Sequence, residues 1–197
     1  MTDGLEDEES ELRFRIETSR LSLRRPGADD DAEIASLSAG RRIAENLAAL
    51  PSPATGETGE AFVVIDRDRD RLIGAAMYGP RTDRPTATEI ACWIGEPHWG
   101  QGYGTEASQA IVDRAFADQR IGILWCANRV MNDRARRVIE KCGFQFRETG
   151  MVRFPILNGA VPVERFALER RTWTALRAWG ASAAKRDRQD KDYGTAA

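Results

Sequence analysis

Three alternating glycines, Gly100, Gly102 and Gly104, stand between an apolar segment and a segment with helical periodicity. Glycine can adopt a positive φ angle at little steric cost and lets the backbone approach a ligand closely. When such a loop begins a helix, several backbone N–H groups point the same way, and the helix dipole adds partial positive charge. The chemistry that this pattern predicts is binding of a phosphate or pyrophosphate group.

Two common nucleotide-binding loops do not match this spacing. A P-loop would end in Lys-Ser or Lys-Thr, whereas Gly104 is followed by Thr105 and Glu106. The dinucleotide-binding fingerprint needs G-x-G-x-x-G and an acidic residue near the end of the next strand. Here the glycines are spaced G-x-G-x-G, and the next apolar segment ends in Cys-Ala-Asn, without an acid.

A second motif lies downstream, from Asn132 to Phe144, with the sequence NDRARRVIEKCGF. The glycine loop with its preceding strand, followed by this segment, resembles the GCN5-related N-acetyltransferases, the GNAT family. The segment RLSLRR at residues 20–25 is similar to the start of the ribosomal-protein N-terminal acetyltransferases, a branch of that family. The resemblance covers about residues 20–168 and is strongest over residues 89–144.

The resemblance implies an acetyl-CoA-dependent N-acetyltransferase, in which a primary amine of a protein N-terminus or a small molecule attacks the thioester directly. It also implies that the glycine loop binds the pyrophosphate and that the strands flanking the first helix separate around the pantetheine arm. Trp125 would then be either a wall of that slot or a core residue, and Asn132 both a cofactor contact and a helix N-cap. The residues assigned to the cofactor in this way are Cys92, Trp93, Ile94, Gln101, Gly102, Tyr103, Gly104, Thr105 and Asn132.

The catalytic groups are less completely indicated. Glu89, in the segment TEIACW, resembles the general base of the histone-acetylating members of the family. Glu96 and His98, the latter titrating near neutrality, are the other candidates. Ile139 occupies the position at which many members carry a tyrosine that protonates the departing thiolate, so no general acid is identified. A non-catalytic CoA-binding sensor or interaction module of the same fold is therefore the alternative function.

Composition and net charge limit the classes of molecule that the protein is expected to bind. The chain has 197 residues, 42% hydrophobic and 30% charged, with a net charge of −2, which suits one soluble globular domain and gives no indication of nucleic acid or membrane binding. No apolar run approaches the roughly 20 residues that span a bilayer, and the acidic N-terminus lacks the features of a signal peptide. We expect a cytoplasmic monomer or homodimer. The three cysteines match no metal-ligand spacing, so free thiols and no metal are predicted.

The predicted fold is α/β: a GNAT-type mixed, mostly antiparallel sheet flanked by helices, with a parallel βαβ step at the cofactor site. The expected organisation is a disordered acidic tail at residues 1–11, one domain at 12–180 and a disordered or frayed tail at 181–197. Leu21 and Leu23 are expected to face inward. Strands are predicted at 12–16, 20–25, 61–66, 72–78, 87–95, 121–127 (fully buried), 144–146, 151–157 and 164–169. Helices are predicted at 29–39, 41–50, 105–118, 132–142 and 171–179. Turns are expected at 66–71 and 79–85, a loop at 54–60, and a hairpin at Asn158-Gly159.

Overall fold

The computed structural model describes residues 15–44, 59–81, 83–154, 159–180 and 182. The strands are β1 (Ile16–Glu17), β2 (Leu21–Arg24), β3 (Glu60–Asp66), β4 (Arg71–Arg81), β5 (Arg84–Ile94), β6 (Ile123–Arg129), β7 (Gln145–Phe154) and β8 (Gly159–Glu169). The helices are α1 (Asp31–Ser38), α2 (Arg41–Ala44), α3 (Tyr103–Ala117), α4 (Asp133–Lys141) and α5 (residues 170–180), with short 3₁₀ turns at Ala28–Asp30 and Glu96–His98.

The strands form one eight-stranded sheet in the order β1-β2-β3-β4-β5-β6-β8-β7. Neighbouring strands are antiparallel except β5 and β6, which are parallel and are connected through α3. A parallel pair needs a crossover connection, and the helix after the glycine loop supplies it. The predicted fold class, including the βαβ step, is confirmed.

Strands β5 and β6 pair over only a short stretch. Their backbone partners are Thr88 with Leu124 and Glu89 with Trp125, after which the two strands separate. Both strands continue beyond that point, β5 to Ile94 and β6 to Arg129. The separation leaves a gap within the sheet whose edges carry unpaired backbone groups, which is the feature expected for an inserted ligand arm.

The main core lies between the sheet and α3. Ala107, Ile111 and Ala115 follow one another at helical spacing, are fully buried, and pack with Ile90 and Leu124. Leu21 and Leu23, which the alternation of the first strand predicts to face inward, are also fully buried in this cluster. Even-numbered residues of β5 and β6 therefore face α3, and odd-numbered residues face the opposite side of the sheet.

A smaller cluster covers part of that opposite side. Val63, Ile65 and Leu72 of β3 and β4 are buried there against Ile34 and Leu37 of α1. The helical periodicity of residues 29–39 predicts this helix, and the structure confirms it over Asp31–Ser38. Helix α1 thus packs over β3 and β4, away from the point at which β5 and β6 separate.

The turn predicted at residues 79–85 is wrong in its extent, because β4 continues to Arg81 and β5 begins at Arg84. Gly79 and Pro80 lie inside β4, where Pro80 is exposed and the pairing register shifts immediately after it. Proline lacks a backbone donor but is tolerated at such an irregularity. Residue types typical of turns therefore do not end this strand.

Three further boundaries differ from the prediction. Helix α3 begins at Tyr103, so Gly104 belongs to its first turn rather than to the preceding loop. Strand β6 is not fully buried but alternates, with Ile123 44% exposed. The strands predicted separately at 144–146 and 151–157 form one strand, β7, because pairing with β8 continues across a bulge.

Some predictions lie outside the described residues. They are the tail at 1–11, the tail at 181–197 except for residue 182, most of the strand at 12–16, most of the helix at 41–50 and most of the loop at 54–60. The end of the strand at 151–157, from residue 155, and Asn158 of the hairpin also lie outside them. Within the described part of the chain, no helix is long and apolar enough to cross a membrane.

Candidate functional site

A cavity of about 600 Å³ opens at the start of α3 and is bounded by β5, β6 and α4. Its volume is within the range of roughly 300–1,000 Å³ that is usual for small-molecule sites. The lining includes both even and odd residues of the two strands: residues 90–94 of β5 and 126–128 of β6. The cavity therefore extends through the gap between the strands, from the side of α3 towards the opposite side of the sheet.

The glycine loop shapes one end of this cavity. Gly100 and Gly102 have φ angles of 77° and 85°, a left-handed conformation that favours glycine. Gly102 is the N-cap of α3, and the internal hydrogen bonds of the helix begin with Thr105 and Glu106, which both donate to the Gly102 carbonyl at 3.1 Å. The N–H groups of the preceding helical residues are left for a ligand, as at helix starts in general.

Gly104 has no side chain, so the first turn of α3 takes up little space beside the cavity. A Cβ atom built on it would lie 3.8 Å from both Ile94 and Val138, at ordinary contact distance and within the cavity wall. Its φ angle is not positive, so the reason for glycine at this position is space rather than backbone conformation. The residues present thus form a narrow cradle of N–H groups that fits a pyrophosphate.

A network that the sequence patterns did not identify holds this loop in place. Arg20 forms an ion pair of 2.7 Å with Glu106 and donates to the Gln101 carbonyl at 2.9 Å. The guanidinium also lies over the Tyr103 ring, 4.6 Å from its centroid. The Tyr103 hydroxyl donates in turn to the buried carboxylate of Asp66 at 3.0 Å. The loop is therefore fixed to β2 and β3 by side chains rather than by backbone pairing.

The structure brings together most of the residues predicted for the cofactor. Gln101 does not line the cavity; its backbone carbonyl accepts the hydrogen bond from Arg20. Asn132 does line it and is also the N-cap of α4, because its side-chain oxygen accepts from the Ala135 N–H at 3.1 Å. The other predicted residues that line the cavity are Cys92, Trp93, Ile94, Gly102, Tyr103, Gly104 and Thr105.

Basic side chains of α4 surround the same opening. Arg134 and Arg137 line the cavity, and the Arg134 guanidinium lies over the Trp99 ring, 5.0 Å from its centroid. Arg136 points elsewhere, since it pairs with Glu140 and with Glu164. The two arginines of α4 that line the cavity can therefore offer positive charge to a phosphate group near the loop.

Asn128 is a cavity residue that the sequence patterns missed. It lies at the carboxyl end of β6 and is 5% exposed. Its Nδ2 donates to the Arg129 carbonyl at 2.9 Å, whereas its buried Oδ1 has no hydrogen-bond partner within the described residues. An N–H or O–H donor on a bound molecule would satisfy that oxygen.

Glu89 lies where β5 and β6 begin to separate, on the side of the sheet opposite α3. Its carboxylate is half-buried and forms no hydrogen bond or ion pair within the described residues. Burial raises the pKa of Glu89 above its ordinary value, although the nearby Arg81 and Arg165 guanidiniums act against that rise. An unpaired carboxylate with a raised pKa at such a position can accept a proton.

The other two candidate bases lie elsewhere. Glu96 is exposed and forms a 2.9 Å ion pair with Arg42. His98 lines the cavity with a buried, unpartnered Nε2, and burial lowers its pKa. However, the charges that act on His98 are Arg71, Asp66 and Arg69, which belong to the end of the molecule that holds the glycine loop. Glu89 therefore lies in the middle of β5, whereas His98 lies beyond its C-terminal end, in the 3₁₀ turn before the glycine loop.

Three thiols and Ile139 line the middle of the cavity. The Ile139 side chain has no acidic group, so it cannot donate a proton to a molecule in the cavity. Cys92, Cys126 and Cys142 are all free thiols, as predicted. Burial raises the pKa of Cys92 to about 11 and that of Cys142 to about 12, so both remain protonated near neutral pH. Among the described residues no group of three or more His, Cys, Asp or Glu side chains is arranged to hold a metal ion.

Comparison with known proteins agrees with this geometry. The family model described as acetyltransferase (GNAT) domain matches residues 20–145, which include the loop, the gap between the strands and the start of α4. The chain belongs to the GNAT family. The match ends at the first residue of β7, so β8 and the rest of β7 lie beyond it.

This GNAT chain is similar to curated relatives and to solved structures. It is 30% identical over 102 residues to the uncharacterized N-acetyltransferase YnaD of Bacillus subtilis, covering 51% of this chain and 59% of YnaD. The chain spans about half the length of the curated relatives it matches. Spermidine N-acetyltransferase from Vibrio cholerae, solved with CoA and spermine, superposes with a TM-score of 0.66 at 20% identity, covering 80% of this chain and 99% of that one. The ribosomal L7/L12 α-N-protein acetyltransferase RimL superposes with a TM-score of 0.64 at 14% sequence identity, covering 79% of this chain and 93% of RimL.

Proposed function

We propose that this protein transfers an acetyl group from acetyl-CoA to a primary amine. One observation carries the proposal: a continuous cavity starts at the glycine loop and reaches Ile90 and Ala91 in the gap between β5 and β6, directly after Glu89, which does not itself line the cavity. A long co-substrate that is anchored by its phosphates at the loop would deliver its reactive end there.

The loop residues Gly102 to Thr105 are proposed to hold the pyrophosphate, with Arg134 and Arg137 as the positive groups nearby. Cys92, Trp93 and Ile94 would flank the pantetheine arm, whose amide groups can pair with the unpaired backbone of β5. Asn132, and in addition the unpartnered Oδ1 of Asn128, are available to the arm from the other wall. No metal is required by this arrangement.

Glu89 is proposed as the general base. An ammonium substrate loses one proton to Glu89, directly or through a water, and the neutral nitrogen attacks the thioester carbonyl carbon. The C–N bond forms, the C–S bond breaks, and the nitrogen loses its second proton. The sulfur takes up one proton from solvent, because Ile139 offers none, so that one proton is released for each turnover. General-base assistance of this kind contributes roughly 10²–10⁴-fold in rate.

A non-catalytic CoA-binding module of the same fold is the second candidate, and Ile139 is the observation that favours it. The two functions are separated by mixing the protein with acetyl-CoA and a panel of peptides, amino acids, polyamines and aminoglycosides. Release of free CoA that depends on the amine, with an acetylated product in the mass spectrum, is expected. Tight binding of acetyl-CoA without CoA release from any amine would establish the sensor instead.

A further inference from the structure

The side of the sheet opposite α3 carries a cluster of charged residues near Glu89, which we name the Arg81 corner: Arg81, Asp83, Trp125, Glu148 and Arg165. Trp125 is the register partner of Glu89. Arg165 of β8 faces the same side as Glu89, since Phe166 and Leu168, which point to the other face of the sheet, both lie in the α3 core. The cluster was not indicated by any motif.

Arg81 is held rigidly in this corner. Its Nε and Nη2 donate to the two carboxylate oxygens of Asp83 at 2.6 and 2.7 Å. Its guanidinium lies over the Trp125 ring, 5.2 Å from the centroid. The residue is only 4% exposed. A bidentate ion pair on one edge and an aromatic ring on one face leave the guanidinium a single fixed orientation.

One part of this guanidinium is unsatisfied. Nη1 of Arg81 is buried and has no hydrogen-bond partner within the described residues. Leaving a buried donor of a charged group without an acceptor costs free energy, so such groups are normally paired. An acceptor oxygen on a bound molecule would complete the hydrogen bonding.

The unsatisfied donor of Arg81 favours an anionic acceptor, because the guanidinium that carries it is positively charged. Asp83 is shared by two guanidiniums, because Arg165 also donates to it at 3.0 Å. Glu148, at 3.7 Å from Arg165, is exposed on its outer side. The two guanidiniums are therefore balanced by the Asp83 and Glu148 carboxylates, and both also influence the Glu89 carboxylate, which has no partner among the described residues.

We infer that the amine acceptor of the proposed reaction carries a carboxylate close to its amino group, with the amine at Glu89 and the carboxylate at Nη1 of Arg81. The acceptor is thus an amino acid, either free or as an acidic first residue of a peptide. Polyamines and aminoglycosides would instead bring further positive charge to Arg81. This inference rests on the proposed function, since it places the acceptor by its reacting nitrogen.

The test compares acceptors that differ only in the carboxylate. Free α-amino acids are paired with their α-amides, and peptides that begin with Asp are paired with the same peptides beginning with Asn. Spermidine and kanamycin serve as polycationic amines. We expect kcat/KM to be at least about tenfold higher for one of the two carboxylate forms than for its amide, as for a charge-assisted pair. The responding pair tells whether the free amino acid or the peptide is the source.

Two variants examine Arg81 itself. Arg81→Gln removes the donor charge, while Asp83 keeps Arg165 as its partner, so the carboxylate is not stranded. Arg81→Lys retains a charge without the planar, stacked guanidinium. Both should reduce the ratio of kcat/KM for the acid form to kcat/KM for the amide form towards one, a ratio taken within each variant and so independent of any change in its overall activity. Arg120→Gln, at an exposed arginine paired with Asp118, is the control and should keep the full preference.

Several results would overturn the inference: equal kcat/KM for the acid and amide forms, faster turnover of spermidine or kanamycin, or an unchanged preference in folded Arg81→Gln. If Arg81→Gln does not fold, the acid–amide comparison on the wild-type protein decides alone. If no amine releases CoA, the proposed function fails, and calorimetric binding of the acid and amide forms in the presence of CoA still decides whether Arg81 selects a carboxylate.

Discussion

Arg20 and Glu106 form a 2.7 Å ion pair that joins the start of β2 to the first turn of α3. Glu106 is 16% exposed and also accepts hydrogen bonds from the Thr18 hydroxyl at 2.6 Å and the Arg20 N–H at 2.9 Å. The glycine loop lies directly between these two elements, and Arg20 contacts its Gln101 carbonyl. The conformation of the loop therefore depends on a carboxylate that does not itself line the cavity.

Glu106→Gln should weaken this connection while keeping the size of the side chain. We expect a loss of about 1.5–3 kcal/mol in the free energy of unfolding, the usual contribution of hydrogen bonds to a charged group, together with several-fold weaker binding of acetyl-CoA. Denaturant unfolding and calorimetry measure the two effects. Glu140→Gln, at an exposed ion pair with Arg136 on α4, is the matched control and should cost less than about 1 kcal/mol. Equal losses in both variants would show that Glu106 has no special role.

The same carboxylate gives a pH dependence. Burial raises the pKa of Glu106, but the hydrogen bonds from Thr18 and Arg20 outweigh it and hold the pKa below its ordinary value. A depressed pKa in the folded state stabilises the fold above the unfolded pKa of about 4.3, and that contribution is lost as the pH falls through the folded pKa. Unfolding free energies between about pH 6 and pH 3 should therefore decline less in Glu106→Gln than in the wild type.

The two glycines of the loop should respond differently to alanine. At Gly104 the added Cβ has space within the protein, so Gly104→Ala should fold normally and bind acetyl-CoA at least about tenfold more weakly, by crowding the N–H cradle. At Gly102 the φ angle of 85° disfavours any other residue, and the Cβ would lie 3.3 Å from Arg20. Gly102→Ala should therefore lose about 1–2 kcal/mol of stability. Unchanged acetyl-CoA affinity in Gly104→Ala and in the larger Gly104→Val would remove the loop from the binding site.

What the sequence could predict here is mostly local. The N-cap role of Asn132 depends on hydrogen bonds within one turn of α4. The end of that helix at Gly143 depends on the positive φ angle of 89° at the glycine itself. By contrast, the side chains of Arg20 and Glu106 meet across 86 positions of sequence. No periodicity encodes such a pairing, because it exists only once β2 and α3 have been placed side by side.

The Arg81 corner shows the same limit in another way. Residues 79–85 contain two prolines and a glycine, so they predict a turn, and a side chain in a turn is expected to be exposed. The strand instead continues to Arg81, whose guanidinium is carried onto the sheet and buried. The alternation of β5 places Glu89 and Trp93 on one face, but which face that is becomes known only from the packing of α3.

The cysteines provide a test that does not depend on turnover. Burial raises the pKa values of Cys92 and Cys142, and only thiolates react readily with alkylating reagents. In the native protein at pH 8 we expect iodoacetamide to label all three thiols at least about tenfold more slowly than in the denatured chain. Saturating acetyl-CoA should slow Cys92 further, since it lines the cavity. Peptide mapping by mass spectrometry gives the rate for each residue; rapid labelling of native Cys92 in the presence of acetyl-CoA would contradict its proposed place beside the pantetheine arm.

Glu89→Gln tests the proposed general base most directly. The carboxylate lies on the face opposite α3, next to the gap between β5 and β6, and has no partner among the described residues that would otherwise explain it. Because burial raises its pKa, it is a stronger base than an ordinary carboxylate. Removing it should lower kcat at neutral pH by at least about tenfold. The affinity for acetyl-CoA should be unchanged, since Glu89 does not line the cavity at whose glycine-loop end the phosphates are proposed to bind.

The pH profile distinguishes loss of a base from a general disturbance of the site. An amine acceptor is largely protonated at neutral pH, so the variant should recover towards the wild-type rate as the pH rises and the free amine becomes abundant. Glu96→Gln, at an exposed glutamate paired with Arg42, is the control and should follow the wild type throughout. A Glu89→Gln enzyme with the parental kcat at every pH would exclude Glu89 from proton transfer, and solvent or His98 would then have to accept the proton.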